Sequence, residues 1–208
     1  MSLDVWVTFV AAVLLLMSTP GPSQLLMLSN SAANGFGRGL FTAAGDLTAN
    51  FFQMLAAGLG LAALIAASAT ALSVIKWLGV AYLVYLGLRM IRGARARAAL
   101  GTAARASRRV LWLQGFLTSA SNPKAVVFFA ALFPQFIDAS AAFWPQFAVL
   151  SASYIALDAM FLTAYGSGAS WFAARLKGPA RAWLDRIGGS FVIAAALLLG
   201  LKSLRLGT

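Results

Sequence analysis

Two proline-bearing stretches interrupt long hydrophobic runs at matching places in the two halves of the chain: Ser18-Thr19-Pro20-Gly21-Pro22-Ser23 and Ser121-Asn122-Pro123-Lys124. Proline inside a helix removes a hydrogen bond and clashes with the carbonyl one turn earlier, at a cost of ~3 kcal/mol or more. In hydrocarbon no water satisfies the freed backbone groups, so such breaks persist only against protein or a polar cavity. Paired interruptions in the two halves of a small membrane protein are the sequence pattern of a transporter's binding site.

Composition places the runs in a membrane. The chain is 61% hydrophobic and 10% charged, with a mean hydropathy of +0.84, against roughly 25% charged residues in a soluble domain. Cys and His are absent and every acid is an Asp, which removes disulfides, thiol chemistry and the usual soft metal ligands. No cofactor or metal site is expected, and Gly166-Ser167-Gly168 is not read as a hydrolase motif in a chain without a histidine base. The net charge of +11 is not read as nucleic-acid binding, because the basic residues cluster in short gaps between apolar runs, where they set orientation.

Six runs are long enough to span: 5–28, 40–66, 71–91, 112–137, 143–172 and 186–204. The first has Asp4 and no Lys or Arg at its start and is read as a retained span. Arg38 follows the first span, six Arg between Arg92 and Arg109 follow the third, and Arg175, Lys177 and Arg181 follow the fifth. These gaps face the cytoplasm by the positive-inside rule, and both termini face outward. The Arg-rich gap reads as a solvated loop touching anionic lipid headgroups. Trp6, Trp77, Trp112, Trp144 and Trp171 read as interface anchors near span ends.

The fold expected is an all-α integral membrane protein, one transmembrane domain over residues 1–208. Repeat one covers about 1–92, a basic cytoplasmic loop about 92–111, and repeat two about 112–208. Three spans per unit force the two copies into opposite orientations, an inverted repeat with a broken first helix in each unit. Asp46 and Asp158 fall in the second span of each unit, and Gly79 and Gly188 near the start of the third. Gly58, Gly60, Gly79, Gly87, Gly166, Gly168, Gly188 and Gly189 read mainly as small-residue packing positions.

Asp46 and Asp158 are the leading chemical candidates, since an acid at the centre of a span costs about 2.5–3.5 kcal/mol on insertion scales. Thr42, Asn50 and Gln53 share a helical face with Asp46, and Ser151, Tyr154 and Tyr165 lie at compatible spacing with Asp158. The structural alternative is that each Asp caps a broken helix or pairs with Lys124. Asn122 is a good N-cap, and Pro123 suits a first helical position, as does Pro22. Helix starts at these places expose N–H groups and a partial positive charge that attract a carboxylate, while a nearby Asp suits an ammonium. Such a site is complementary to a small zwitterion, an amino acid. The expected substrate-binding residues are Pro20, Gly21, Pro22, Gln24, Asp46, Asn50, Asn122, Pro123, Lys124, Tyr154 and Asp158. Asp46 and Asp158 also supply a route for proton coupling, because a carboxyl shielded from water can take up a proton when its partner leaves.

In Thr19-Pro20-Gly21-Pro22, the Gly45-Asp46 pair and Asn122-Pro123-Lys124, the chain resembles the lysine exporter (LysE/RhtB) family of amino-acid exporters. The run from Trp77 to Arg89, Gly115-Phe116-Leu117 and Phe133-Pro134-Gln135-Phe136 extend the likeness over essentially the whole length. The resemblance implies a bacterial inner-membrane protein that exports amino acids or close derivatives, driven by the proton motive force, with the proline motifs and Asp46 as transport residues. Ser23 departs from the Asn that many relatives of the neutral-amino-acid branch carry, which leaves the substrate open. A homodimer suits so small a transporter. The alternatives are an inorganic cation transporter of the wider superfamily, which should show more hard-oxygen, sulfur or imidazole ligands, and a non-transporting membrane partner subunit.

Overall fold

The computed structural model describes residues 1–60 and 105–175, with isolated positions between 77 and 88, at 190 and at 193. The third and sixth expected spans, with Gly79, Gly87, Gly188 and Gly189, lie outside the described residues.

Every regular element among the described residues is helical: α1 (Leu3–Ser18), α2 (Pro22–Asn34), α3 (Phe36–Gly58), α4 (Arg108–Ala120), α5 (Pro123–Val127) and α6 (Phe143–Arg175). A π-turn (Phe128–Leu132) and a 3-10 turn (Phe133–Phe136) continue α5. Both proline stretches break a helix. α1 and α2 meet at 58°, and α4 meets the segment Lys124–Phe136 at 52°. Pro22 and Pro123 each stand at a helix start, where their missing N–H costs nothing. Among the described residues, α6 is long and apolar enough to cross a membrane alone, and each bent pair qualifies as one span. At 33 residues and ~1.5 Å per residue, α6 exceeds a hydrocarbon core of ~30 Å and must tilt or extend past it.

In the second expected span, 40–66, the helix differs at its start, and residues 61–66 lie outside the described residues. α3 starts earlier, at Phe36, after Gly35 turns the chain with φ of 87°, a left-handed value that glycine adopts without a Cβ clash. It stops at Gly58, and Gly60 turns with φ of 79°.

Each bent pair packs on the long helix of the other half. Gly45 of α3 lies so close to α4 that a Cβ there would strike the Trp112 carbonyl and come 2.8 Å from the Phe116 nitrogen. Gly115 of α4 is pressed in the same way onto Thr42 and the Asp46 nitrogen of α3. Small residues of this kind let backbones approach where lipid supplies no hydrophobic drive between helices. On the other side, Gly166 of α6 accepts Met27 and Ser31 of α2. α3 and α6 run antiparallel: Asn50 meets Asp158, Phe51 meets Phe147 and Gly58 meets Phe143.

The two ends of this bundle differ. Around residues 3–17, 51–58 and 125–154, Phe9, Phe128, Phe129, Phe133, Phe147 and Tyr154 form a buried cluster with Val13, Met17, Met54 and Leu150. Its rings meet edge to face, Phe9 with Phe133 at 6.1 Å and Phe129 with Phe133 at 6.1 Å, the arrangement their quadrupoles prefer. Burying each such side chain is worth about 1.5–3 kcal/mol relative to water. At the opposite end Arg38, Arg105, Arg108, Arg109 and Arg175 gather, with Arg108 over the Phe41 ring at 5.2 Å and Arg175 over Trp171 at 3.4 Å.

The α3–α4 crossing yields a prediction. Gly45→Val forces the two backbones apart and costs at least the ~1–3 kcal/mol of an overpacked core. In detergent it should melt well below the parent protein, whereas Gly37→Val, where a Cβ meets nothing within 4 Å, should melt at or slightly above it, since Val has a better helix propensity than Gly. Equal melting temperatures would remove the crossing as a structural anchor.

Candidate functional site

The breaks bring the two acids together. Asp46 on α3 and Asp158 on α6 are 2% and 3% exposed, and one side chain joins them. Asn50 Nδ2 donates to Asp46 Oδ2 at 2.9 Å and to Asp158 Oδ2 at 2.7 Å, while its Oδ1 accepts from the Ser119 hydroxyl at 2.8 Å. Asn50 lies one turn after Asp46 on the same face of α3, so the helix itself sets half of this bridge. Asp46 Oδ1 is buried with no hydrogen-bond partner, and the Ser23 hydroxyl faces the same carboxyl.

Side chains satisfy the backbone at both breaks, much of it across the halves. Lys124 Nζ donates to the Thr19 carbonyl at 2.6 Å, at the open end of α1. Gln53 Nε2 of α3 donates to the Ser119 and Ala120 carbonyls at 3.3 Å each, at the open end of α4. Gln24 Oε1 accepts from the Gly21 N–H at 2.9 Å, and Asn122 Oδ1 from the Lys124 N–H at 3.1 Å. Ser18 and Ser121 hydroxyls bond back to Leu14 and Leu117 carbonyls at 2.7 and 2.6 Å. These bonds answer the unmet groups that hydrocarbon would otherwise penalise.

A small cavity of about 20 Å3 opens here, lined by Ser23, Gln24, Asp46, Asn50, Asn122, Lys124, Tyr154 and Asp158, with Leu16, Met17 and Ala125. That is room for a water or two; an amino acid needs the helices to part. Of the residues expected from the sequence, Gln24, Asp46, Asn50, Asn122, Lys124, Tyr154 and Asp158 line it together. Pro20 is exposed and outside it. Gly21, Pro22 and Pro123 stand behind it as backbone at the two helix starts.

Two expected contacts differ. The Gly21 amide, assigned to a carboxylate, already donates to Gln24, so an anion would have to displace that side chain. Lys124, offered as a partner for an Asp, holds the Thr19 carbonyl instead, the nearest strong acceptor left open by the break. Sequence reasoning did not place Leu16, Met17, Ser23, Ser119 or Ala125 at the site. Ser119 had a signal, three residues before Asn122 in a polar patch of an apolar run; the apolar three had none.

Chemically the cavity offers two buried carboxyls, one half-buried ammonium and three side-chain amides. The acids can hold a cation or a proton, and the ammonium can hold an anion.

A second buried polar group lies farther along α2. Asn30 Nδ2 donates to Thr42 Oγ1 of α3 at 2.9 Å and to Gln114 Oε1 of α4 at 3.0 Å. Asn34 accepts from the Ala106 N–H at 2.9 Å and Arg38 donates to the Ala106 carbonyl at 2.7 Å.

The LysE type translocator family profile matches residues 13–203. The chain is 32% identical over 200 residues to a homoserine/homoserine lactone efflux protein of Salmonella typhimurium, covering 95% of this chain and 97% of that one. It is 31% identical to an uncharacterized membrane protein of Vibrio cholerae, covering 96% and 98%. It is 28% identical to a leucine efflux protein of Salmonella choleraesuis, covering 97% of each. No solved structure matches.

The bridge supports one prediction. Asn50→Leu removes the donor shared by two buried carboxyls and should cost about 1–3 kcal/mol, the penalty for leaving a buried acceptor unsatisfied. Thermal melts in detergent should show the loss, with Asn50→Leu/Asp158→Leu recovering part of it. If the double variant is no more stable than the single one, the amide does not bridge the acids.

Proposed function

Because the chain belongs to the LysE type translocator family, we propose that it is a membrane transporter that exports amino acids or close derivatives in exchange for protons. Full-length relatives named as homoserine/homoserine lactone and leucine efflux proteins support the substrate class and the direction. What carries the reading is the convergence of Asp46, Asp158 and Lys124 at two helix breaks, an arrangement of opposite charges that fits a zwitterion.

In this mechanism the substrate ammonium binds between Asp46 and Asp158, displacing the Asn50 amide from one of them. The substrate carboxylate takes Lys124 from the Thr19 carbonyl, with N–H groups at the start of α2 behind it. Gln24, Asn122 and Tyr154 orient the ligand. When the substrate leaves, a carboxyl that has lost its cation takes a proton from the outer side and carries it inward. Opposite halves of an inverted repeat then exchange access around a fixed site. The matched breaks and the antiparallel α3 and α6 support that symmetry.

On this reading the protein is a six-span chain of a bacterial inner membrane, with the arginine-bearing end in the cytoplasm and both termini outside. Since the native chain has no cysteine, single cysteines report sidedness directly. Ser140→Cys should label from the outside and Ser107→Cys from the cytoplasm with an impermeant thiol reagent; the reverse pattern would invert the topology.

The function itself is tested in proteoliposomes with basic, neutral and hydroxylated amino acids, with and without a pH gradient. One amino-acid class should move, faster with the gradient. Asp46→Asn should slow that movement about tenfold to a hundredfold, the worth of a charge-assisted hydrogen bond, with the variant still inserted. Wild-type rates in Asp46→Asn would remove the carboxyl from the mechanism. Movement of a divalent cation and of no amino acid would replace the substrate class.

A further inference from the structure

A buried polar seam runs from the carboxylates toward the arginine-bearing end. Among the buried residues of α2, Ser23, Gln24, Ser29, Asn30, Ser31 and Asn34 are polar, beside the apolar Leu26, Met27 and Ala32. That is a hydrophilic face on a half-helix inside an apolar protein. It meets Thr42 and Gly39 of α3 and Gln114 of α4. Asn30 is the cross-piece, donating from α2 to both partner helices. Asn34 and Arg38 close the far end by holding the N–H and carbonyl of Ala106.

The helices on the two sides of the seam pack most closely as two pairs, which α3 and α6 join at Asn50–Asp158 and toward the aromatic end. α3 and α4 are locked backbone to backbone at Gly45 and Gly115, and α2 is seated on α6 at Gly166. Apolar contact at this level comes from Met27, Ala43 and Leu162 with Phe36 and Leu47 beside them, a small cluster beside the aromatic one at the other end. Polar side chains that bond to one another when closed can bond to water when open. Aromatic rings have no such exchange.

We propose that this seam, between α2 and the α3–α4 pair, is the cytoplasmic path by which a small zwitterion reaches Asp46 and Asp158. It is closed in this structure by Asn30, with Asn34 and Arg38 as its outer latch. The assignment rests on the transport reading above and adds the route and the side from which the site fills. Its amide and hydroxyl groups suit a hydrated amino acid more than a lipid tail, and Met27 and Ala43 are the apolar contacts that must part with them.

A pair of cysteines placed at Asn34 and Ala106 spans the latch and can be joined by a short methanethiosulfonate linker that reductant removes. Uptake is measured in proteoliposomes with an amino acid the unmodified protein transports. The joined protein should move it roughly tenfold or more slowly than the same variant before joining, and reductant should restore the rate. Undiminished transport by the joined protein overturns the proposal.

A second reading does not depend on that variant's activity. Asn30→Cys should react with an impermeant thiol reagent supplied from the arginine-bearing side, several-fold faster when substrate is present. Leu15→Cys, at a side chain 76% exposed on the outside of the bundle, should show no response to substrate. Reaction of Asn30→Cys only from the opposite side, or from neither, overturns the path. If the unmodified protein moves no amino acid, the transport reading falls and the seam's role with it. If it transports while the seam neither reacts nor blocks, the seam alone is wrong.

Discussion

A helix broken inside a membrane leaves carbonyls at one stump and amides at the next, and each one left unmet in hydrocarbon costs several kcal/mol. The architecture follows from how these groups are answered. Lys124, from the second break, holds the carbonyl of Thr19 at the first. Gln53, from the long helix of the first half, holds the last carbonyls of α4 in the second. Each half answers the amides at its own break through Gln24 and Asn122, but the stump carbonyls are held from the other half, so the halves stabilise each other when assembled. The cross-packing of each bent pair on the opposite long helix is the same dependence seen in side-chain contacts.

The carboxyl pair is the second consequence. Two acids at the centre of a bundle are tolerable because Asn50 donates to both and is itself oriented by Ser119. Yet Asp46 Oδ1 has no partner, and a buried polar atom without one costs about 1–3 kcal/mol. A structural pair would be better built from apolar residues of similar size. Retaining an incompletely satisfied acid beside a lysine and a gap is the arrangement expected of groups that change partners.

Much of this was legible in the sequence because it violated the background pattern. Prolines in apolar runs and Asp in spans stand out against hydropathy, and they located both breaks and seven of the residues lining the cavity. The rest depended on how helices meet, which spacing along one helix does not record. Gln53 was assigned to the Asp46 face, but its task of capping α4 needs the parallel register of α3 and α4. Gly45 and Gly115 were noted within motifs, while their mutual contact appears only once the helices cross. Lys124 was matched to an opposite charge, whereas a stump carbonyl lay closer. The polar face of α2 was passed over because Asn30 and Asn34 sit past the expected end of the first span at residue 28, where polar residues look like a loop.

The two ends of the bundle set the order in which a carrier of this kind opens. Parting the aromatic end exposes several rings, each worth about 1.5–3 kcal/mol on transfer to water. Parting the α2 seam gives up protein hydrogen bonds worth a net ~0.5–1.5 kcal/mol each, and water replaces them. On the proposed mechanism, that difference favours opening at the arginine-bearing end, while parting the aromatic end needs help from whatever occupies the site. A ligand supplies such help only through contacts that differ between the two states. Lys124 is placed to provide that difference, because the contact it surrenders to a substrate carboxylate is the one tying α5 to the end of α1. On the proposed mechanism, filling the site loosens the junction beneath the aromatic cluster, and emptying it restores the tie.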